Sequence, residues 1–160
     1  MQASTVKANV LTSIQNYLNK EGITYKTFSH KSVFTSKEAA EIRNTPLKEG
    51  AKALVLLADK NPVMVVISAA NKLDLKAFKK NYGFKDVSMA NKETLLKVTG
   101  LEPGAIPPFG SLFKIPTYAD KRLANLENIS FNAGSHTHSI QMKAGDFITI
   151  EKPIVGIFAK

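Results

Sequence analysis

Apolar residues recur every three or four positions at Val10, Leu11, Ile14, Tyr17 and Leu18, which places one greasy stripe along a helix. Ser4 or Thr5 can cap that helix and Gly22 can close it. From Ile23 to Phe28 the pattern shifts to β-branched and aromatic alternation, so a strand is expected, followed by a polar loop at His30 to Ser32. Thr35-Ser36-Lys37-Glu38 has the spacing of a capping box and predicts a short helix to Arg43, stopped by Asn44 and Pro46. Gly50 to Ala58 is apolar on both faces except at Lys52, the signature of a central strand. After a turn at Asp59 to Pro62, Val63 to Ser68 returns as its hairpin partner.

A second amphipathic helix is expected over Asn71 to Tyr82, with Leu75, Phe78 and Tyr82 on one side and Lys72, Lys76, Lys79 and Lys80 on another. Asn91 can cap a helix running to about Val98. Strands are expected at Leu112 to Thr117, Ile129 to Ala133 and Ser139 to Met142, with a helical turn at Asp120 to Leu126. Lys143 to Phe147 reads as a turn, and Ile148 to Ile150 with Ile154 to Phe158 as the last strand material. Hairpins interleaved with helices, without regular βα alternation, predict an α+β domain with a mixed, largely antiparallel sheet and surrounding helices. No repeat or linker divides the chain, so 1–160 is expected to be one domain.

Between the fourth expected helix and the strand after it lies Gly100 to Gly110, with three glycines and three prolines in eleven residues. Proline lacks the amide that ladders need and glycine loses most entropy on ordering, so this segment is a loop. Pro103, Pro107 and Pro108 stiffen it, while Gly104 and Gly110 let another backbone or a ligand come close. Its free amides, including those of Gly104, Ala105 and Ile106, can be held still and aimed. A rigid connector between strands satisfies the same pattern.

Charge and missing residue types narrow the chemistry. Twenty-two Lys and Arg against thirteen Asp and Glu give +9, a balance that attracts phosphate-rich partners. Cysteine is absent, which excludes disulfides, thiolate metal sites and a cysteine nucleophile. The start lacks a secretory pattern and no apolar run approaches a membrane span, so a cytoplasmic protein with no membrane contact is expected. No Gly-x-Ser-x-Gly elbow, phosphate-binding Gly-x-x-x-x-Gly-Lys loop or His-Glu-x-x-His helix is present. His136 and His138, two apart, can share a strand face as the start of a metal site, or supply a general base; no third ligand is apparent. Lys52 either snorkels from its strand end into solvent or faces partners in a site.

Four blocks carry a family resemblance: Thr35-Ser36-Lys37-Glu38-Ala39-Ala40, Gly50-Ala51-Lys52-Ala53-Leu54-Val55-Leu56, Gly104-Ala105-Ile106-Pro107-Pro108-Phe109-Gly110, and Phe131-Asn132-Ala133-Gly134-Ser135-His136-Thr137. In this order, across nearly the whole chain, they resemble the YbaK/prolyl-tRNA-synthetase-associated domain family. The resemblance implies a mixed α/β pseudo-barrel that hydrolyses the ester joining a wrong amino acid to the tRNA 3′ end. It implies that the family's lysine falls on Lys52 and its Gly-x-x-x-Pro loop on Gly104 to Pro108. The implied substrate pocket takes in Tyr25, Asn132 and Ser139, where some members carry Ser and Asp at the last two positions; Phe109, Ser135 and His136 are expected to bind substrate beside them.

An aminoacyl ester is already activated, so its hydrolysis asks mainly for a positioned water and donors to the oxygen that turns negative. Lys52 with the Gly104, Ala105, Ile106 and Pro108 loop is the expected catalytic set, without metal, cofactor or covalent nucleophile. Lys72, Lys76, Lys79 and Lys80, with Lys121 and Arg122, are expected to hold the acceptor stem without reading bases. An aminoacyl-tRNA synthetase is a further expected partner. A catalytically inactive tRNA- or synthetase-binding module of the same fold, and a metal-dependent hydrolase using His136 and His138, are the competing expectations.

Overall fold

The computed structural model describes residues 3–160, with side chains from Asn9 onward. Helix α1 spans Ala3–Lys20 and buries Ile14 and Leu18. The cap expected of Ser4 or Thr5 lies outside the described side chains. Strand β1 (Tyr25–Ser29) follows, then α2 (Ser36–Arg43), whose capping box forms as the spacing predicts: Glu38 N donates to Thr35 Oγ1 at 3.1 Å and Thr35 N donates back to Glu38 Oε1 at 3.1 Å. Asn44, in the left-handed region, ends the helix.

Strands β2 (Ala51–Ala58) and β3 (Asn61–Ser68) make the hairpin. Its turn is only Asp59-Lys60, both at positive φ, so Pro62 belongs to the strand opposite Leu57. Helix α3 covers Leu75–Tyr82 rather than starting at Asn71, because Asp74 caps it by accepting from Ala77 N at 3.1 Å. Then come β4 (Val87–Met89) and α4 (Lys92–Thr99), the latter capped by Asn91 as expected.

Beyond α4 two segments fold differently from expectation. Leu112 to Thr117 is not one strand: Gly110–Phe113 forms a 3-10 turn, and β5 runs Thr117–Asp120. Lys143 to Ile150 is not turn and strand but largely helix α6 (Ala144–Glu151), with Ala144 and Phe147 facing the core. The β-branched Ile148, Thr149 and Ile150 favoured the strand reading locally, and tertiary packing overrides that preference. Between them lie α5 (Lys121–Ala124), β6 (Asn128–Asn132) and β7 (His138–Lys143), with β8 (Ile154–Gly156) last.

The strands form two sheets, ordered β1-β7-β6 and β4-β2-β3-β5-β8. All pairs are antiparallel except β3 with β5 and β5 with β8. The domain is the mixed α+β fold that was expected, but the sheets do not close into a barrel: they touch at one parallel bridge, Gly50 to Ser130. One core lies between the sheets and gathers Val55, Met64, Phe109, Phe131, Ile140 and Phe147 with α1. A second, on the other face of the five-stranded sheet, gathers Leu56, Val65, Ile67 and Tyr118 under Phe78 of α3.

Candidate active site

Where the two sheets part, the chain leaves a wedge. From the bridge at Gly50, β2 runs on without a backbone partner on its outer edge, among the described residues, until Ala90 and β4 join it at Val55 to Ala58. A cavity of about 410 Å³ fills that gap. Lys52 and Ala53 of β2 line one side, Pro103, Gly104 and Ile106 of the loop another, and Arg43, Phe34, Asn132 and His136 are among the residues that complete it. The Val55 carbonyl accepts from Ala90 N at 3.0 Å, away from β3. By the alternation of an antiparallel pair, Ala53 turns its N–H and C=O to the same open edge.

The lysine and the glycine-proline loop therefore meet across a hollow. Lys52 is exposed yet lines the cavity, so it stands at the rim, between the two alternatives of solvent and site. It shares strand parity with Leu56, so its side chain leaves the sheet on the face that carries α3.

Only part of the loop is free to bind. Gly104 sits at φ +84, which strains any side chain, and a Cβ there would stand 3.2 Å from His136 Cε1, so the ring would have to give by a few tenths of an ångström. The amides of Gly104 and Ile106 have no partner among the described residues. That of Ala105 donates to Glu102 O at 3.1 Å and its carbonyl accepts from Gly134 N at 2.9 Å, so Ala105 braces the loop. Pro108 and Phe109 are buried and do not line the cavity; Phe109 packs edge-on against Tyr17, Phe131 and Phe147. At the far end Gly110 N donates to Thr117 Oγ1, which donates to Glu151, and Glu151 also holds Ser111.

The residue that sequence reading missed is Arg43. It is only 8 % exposed, yet lines the cavity. Its Nε donates to Ser139 Oγ at 2.9 Å and one terminal nitrogen to Asn132 Oδ1 at 2.8 Å. Asn132 Nδ2 donates in turn to Gly104 O at 2.7 Å, tying the guanidinium to the loop. Burial pushes its pKa down to about 10. Among the described residues no Asp or Glu lines the cavity to offset that charge. A signal existed: Arg43 falls three and four residues after the buried Ala40 and Ala39, hence on the same inward stripe of α2.

His136 forms a wall of the cavity. Its Nδ1 meets Val33 O at 3.0 Å, its Nε2 lies 3.6 Å from Glu102, and Phe34, 73 % exposed, rests against its ring with centroids 4.9 Å apart. His138 does not join it: its Nδ1 meets Ser135 Oγ and Thr137 Oγ1, each at 3.1 Å, because His136 lies in the turn before β7 and not on the strand. No group of three metal-ligating side chains gathers among the described residues.

Of the other expected pocket residues, Ser135 lies in that turn and Ser139 lies beneath the cavity, fully buried, between Arg43 and His30. Tyr25 does not line the cavity; its hydroxyl donates to Asn19 Oδ1 at 3.0 Å. Lys76, Lys79 and Lys80 form an exposed row on α3. Lys72 is exposed but precedes the helix, its backbone paired with Lys160, three residues beyond the cavity-lining Ala69. Lys121 and Arg122, also exposed, open α5.

Two splayed sheets, a stiff glycine-proline loop and a cationic cleft with no carboxylate among its described lining residues characterise the site. Residues 30–150 match the model of the aminoacyl-tRNA editing domain, and the chain belongs to that family. It is 33% identical over 141 residues to the multifunctional Ser/Thr-tRNA deacylase ProXp-y of Escherichia coli K12, covering 85% of this chain and 84% of that one. It is 29% identical over 122 residues to the proline–tRNA ligase of Citrifermentans bemidjiense, covering 72% of this chain and 21% of the ligase. Among solved structures, one described provisionally as a trans-editing enzyme for prolyl tRNA synthetase superposes with a TM-score of 0.81 at 21% identity, covering 94% of this chain and 97% of that one; this likeness shows the fold.

Proposed function

We propose that this chain is an aminoacyl-tRNA deacylase, with residues 1–160 acting as one editing domain that hydrolyses the ester of a mischarged tRNA. The observation that carries the reading is the wedge cavity, which has the exposed Lys52 at its rim and the unpaired amides of Gly104 and Ile106 in its wall. A volume of about 410 Å³ suits a terminal nucleoside with a small amino acid attached.

In the mechanism, the tRNA 3′ end enters between β2 and the loop. Lys52 anchors the terminal phosphate or ribose, and the Gly104 and Ile106 amides polarise the ester carbonyl. Water attacks the carbonyl carbon, oriented by a hydroxyl or amine of the substrate itself, with neither metal nor covalent nucleophile. The C–O bond to the ribose breaks, and the ribose oxygen takes up the proton that the water gave up. Selection of the amino acid comes from cavity size, which excludes larger side chains better than smaller ones.

The cationic residues of α3, with Lys72, Lys121 and Arg122, hold the acceptor stem through its phosphates. The tRNA acceptor end is the principal partner on this reading, and an aminoacyl-tRNA synthetase that supplies the mischarged product is a second. The name of the Escherichia coli relative puts seryl and threonyl esters first among substrates to try. The test is a panel of mischarged tRNAs at sub-stoichiometric protein, with and without chelator. Turnover of at least one, unaffected by chelator, is expected; tight binding without turnover would make the domain a binding module, and loss of turnover with chelator would make it a metal-dependent hydrolase.

A further inference from the structure

The mechanism so far leaves one buried charged group unused. A guanidinium offers five N–H donors, and Arg43 commits two, to Ser139 and Asn132. The other donors have no partner among the described residues, although the side chain is nine-tenths buried and lines a cavity free of carboxylates. Its orientation is fixed at both tethers, and through Asn132 it is held in register with the Gly104 carbonyl. At the same time the loop supplies fewer amides than its sequence suggests, since Ala105 spends its own on Glu102.

We propose that Arg43 is a catalytic residue, the side-chain donor that receives the negative charge forming on the ester carbonyl oxygen. The inference rests on the deacylase reading of the cavity. A phosphate diester is charged before and after reaction and suits the solvated rim, where Lys52 stands. A carbonyl oxygen is neutral in the bound ester and becomes an oxyanion only when water adds, so a buried, preoriented fork helps it most at that moment. When the tetrahedral intermediate collapses, the electron pair returns from that oxygen to re-form C=O and the bond to the ribose oxygen breaks. Arg43 keeps its proton throughout.

Such a donor should appear in kcat rather than KM. The experiment uses a mischarged tRNA that the wild-type protein turns over, and compares Arg43→Gln and Arg43→Lys under saturating substrate, with thermal melts to establish folding. A fall in kcat of about 100-fold or more in both variants, with KM within about threefold, is expected. If Arg43→Gln does not fold, Arg43→Lys, which keeps the charge but lacks the fork, decides by the same criterion. A folded variant with kcat within about threefold of wild type, or with its loss confined to KM, overturns the role of Arg43 while leaving the deacylase reading in place. Wild-type protein that turns over no substrate overturns that reading itself.

Discussion

At the scale of single residues, Arg43 and Gly104 are the two positions of the cavity where substitution is most informative. The lowering of the Arg43 pKa to about 10 corresponds to roughly 3 kcal/mol of unfavourable burial. The cost is constant at neutral pH, where the group is charged whether folded or unfolded. It lifts as pH rises through about 10, so this group makes the fold more stable with increasing pH in that window. We expect Arg43→Met to melt no more than about 4 °C below wild type, and wild type to gain stability relative to it between about pH 9 and 11 in urea titrations. A larger drop at pH 7 would mean that the two tethers hold α2 in place more than the charge burdens it. Gly104 is the second position, where glycine relieves strain that a side chain would bring. Gly104→Ala combines a left-handed backbone with a Cβ pressed toward His136, so kcat/KM should fall by about tenfold or more while the protein still folds, given about 1–2 kcal/mol of strain. Wild-type kinetics in that variant would show that the loop is not held against the substrate.

Among elements, α2 and α3 divide the work. The capping box fixes the start of α2 and the backbone that presents Phe34, since Phe34 N also approaches Glu38 Oε1 at 3.3 Å. Thr35→Ala should cost about 1 kcal/mol in denaturant unfolding. Helix α3 packs through Phe78 and turns its lysines outward, on the face of the sheet from which Lys52 also emerges. Replacing Lys76, Lys79 and Lys80 with Gln should reduce the slope of log affinity for tRNA against log salt by about 2 to 3 and leave kcat unchanged. An unaltered slope would move the acceptor stem elsewhere. Elements whose boundaries are set by local chemistry were legible in the sequence: the Thr35 and Asn91 caps and the β2–β3 hairpin form as the residues dictate. Helix α6 was not, because Ile148 and Ile150 favour strands locally and only packing of Ala144 and Phe147 into the core makes the segment helical. Nor was the start of α3, where Asp74 competes successfully with the earlier polar residues as cap. At the site, Lys52 and the Gly104 loop could be picked out as residue types. Their meeting across a cavity, and the inward turn of Arg43, depend on the splay of two sheets that local pattern does not encode.

For the molecule as a whole, no helix among the described residues is long and apolar enough to cross a membrane. The parallel pairing of β3, β5 and β8 brings the last strand beside a segment far away in sequence. Asp120 locks that arrangement. Fully buried, it accepts from Arg122 N through Oδ1 and from the Phe158 and Ala159 amides through Oδ2 at 2.8 Å each. Asp120→Ala strands these donors and should lower stability by about 2–3 kcal/mol, read from the denaturant midpoint. Those bonds hold the β5–β8 end of the five-stranded sheet, while the cavity lies at its β2 edge. The most direct test of the account fills that wedge. Ala69 lines it beside Gly50, and Ala69→Phe should abolish turnover of a mischarged tRNA while the melting temperature and salt-dependent tRNA binding hold. Undiminished turnover with the cavity filled would place the chemistry somewhere else on the protein.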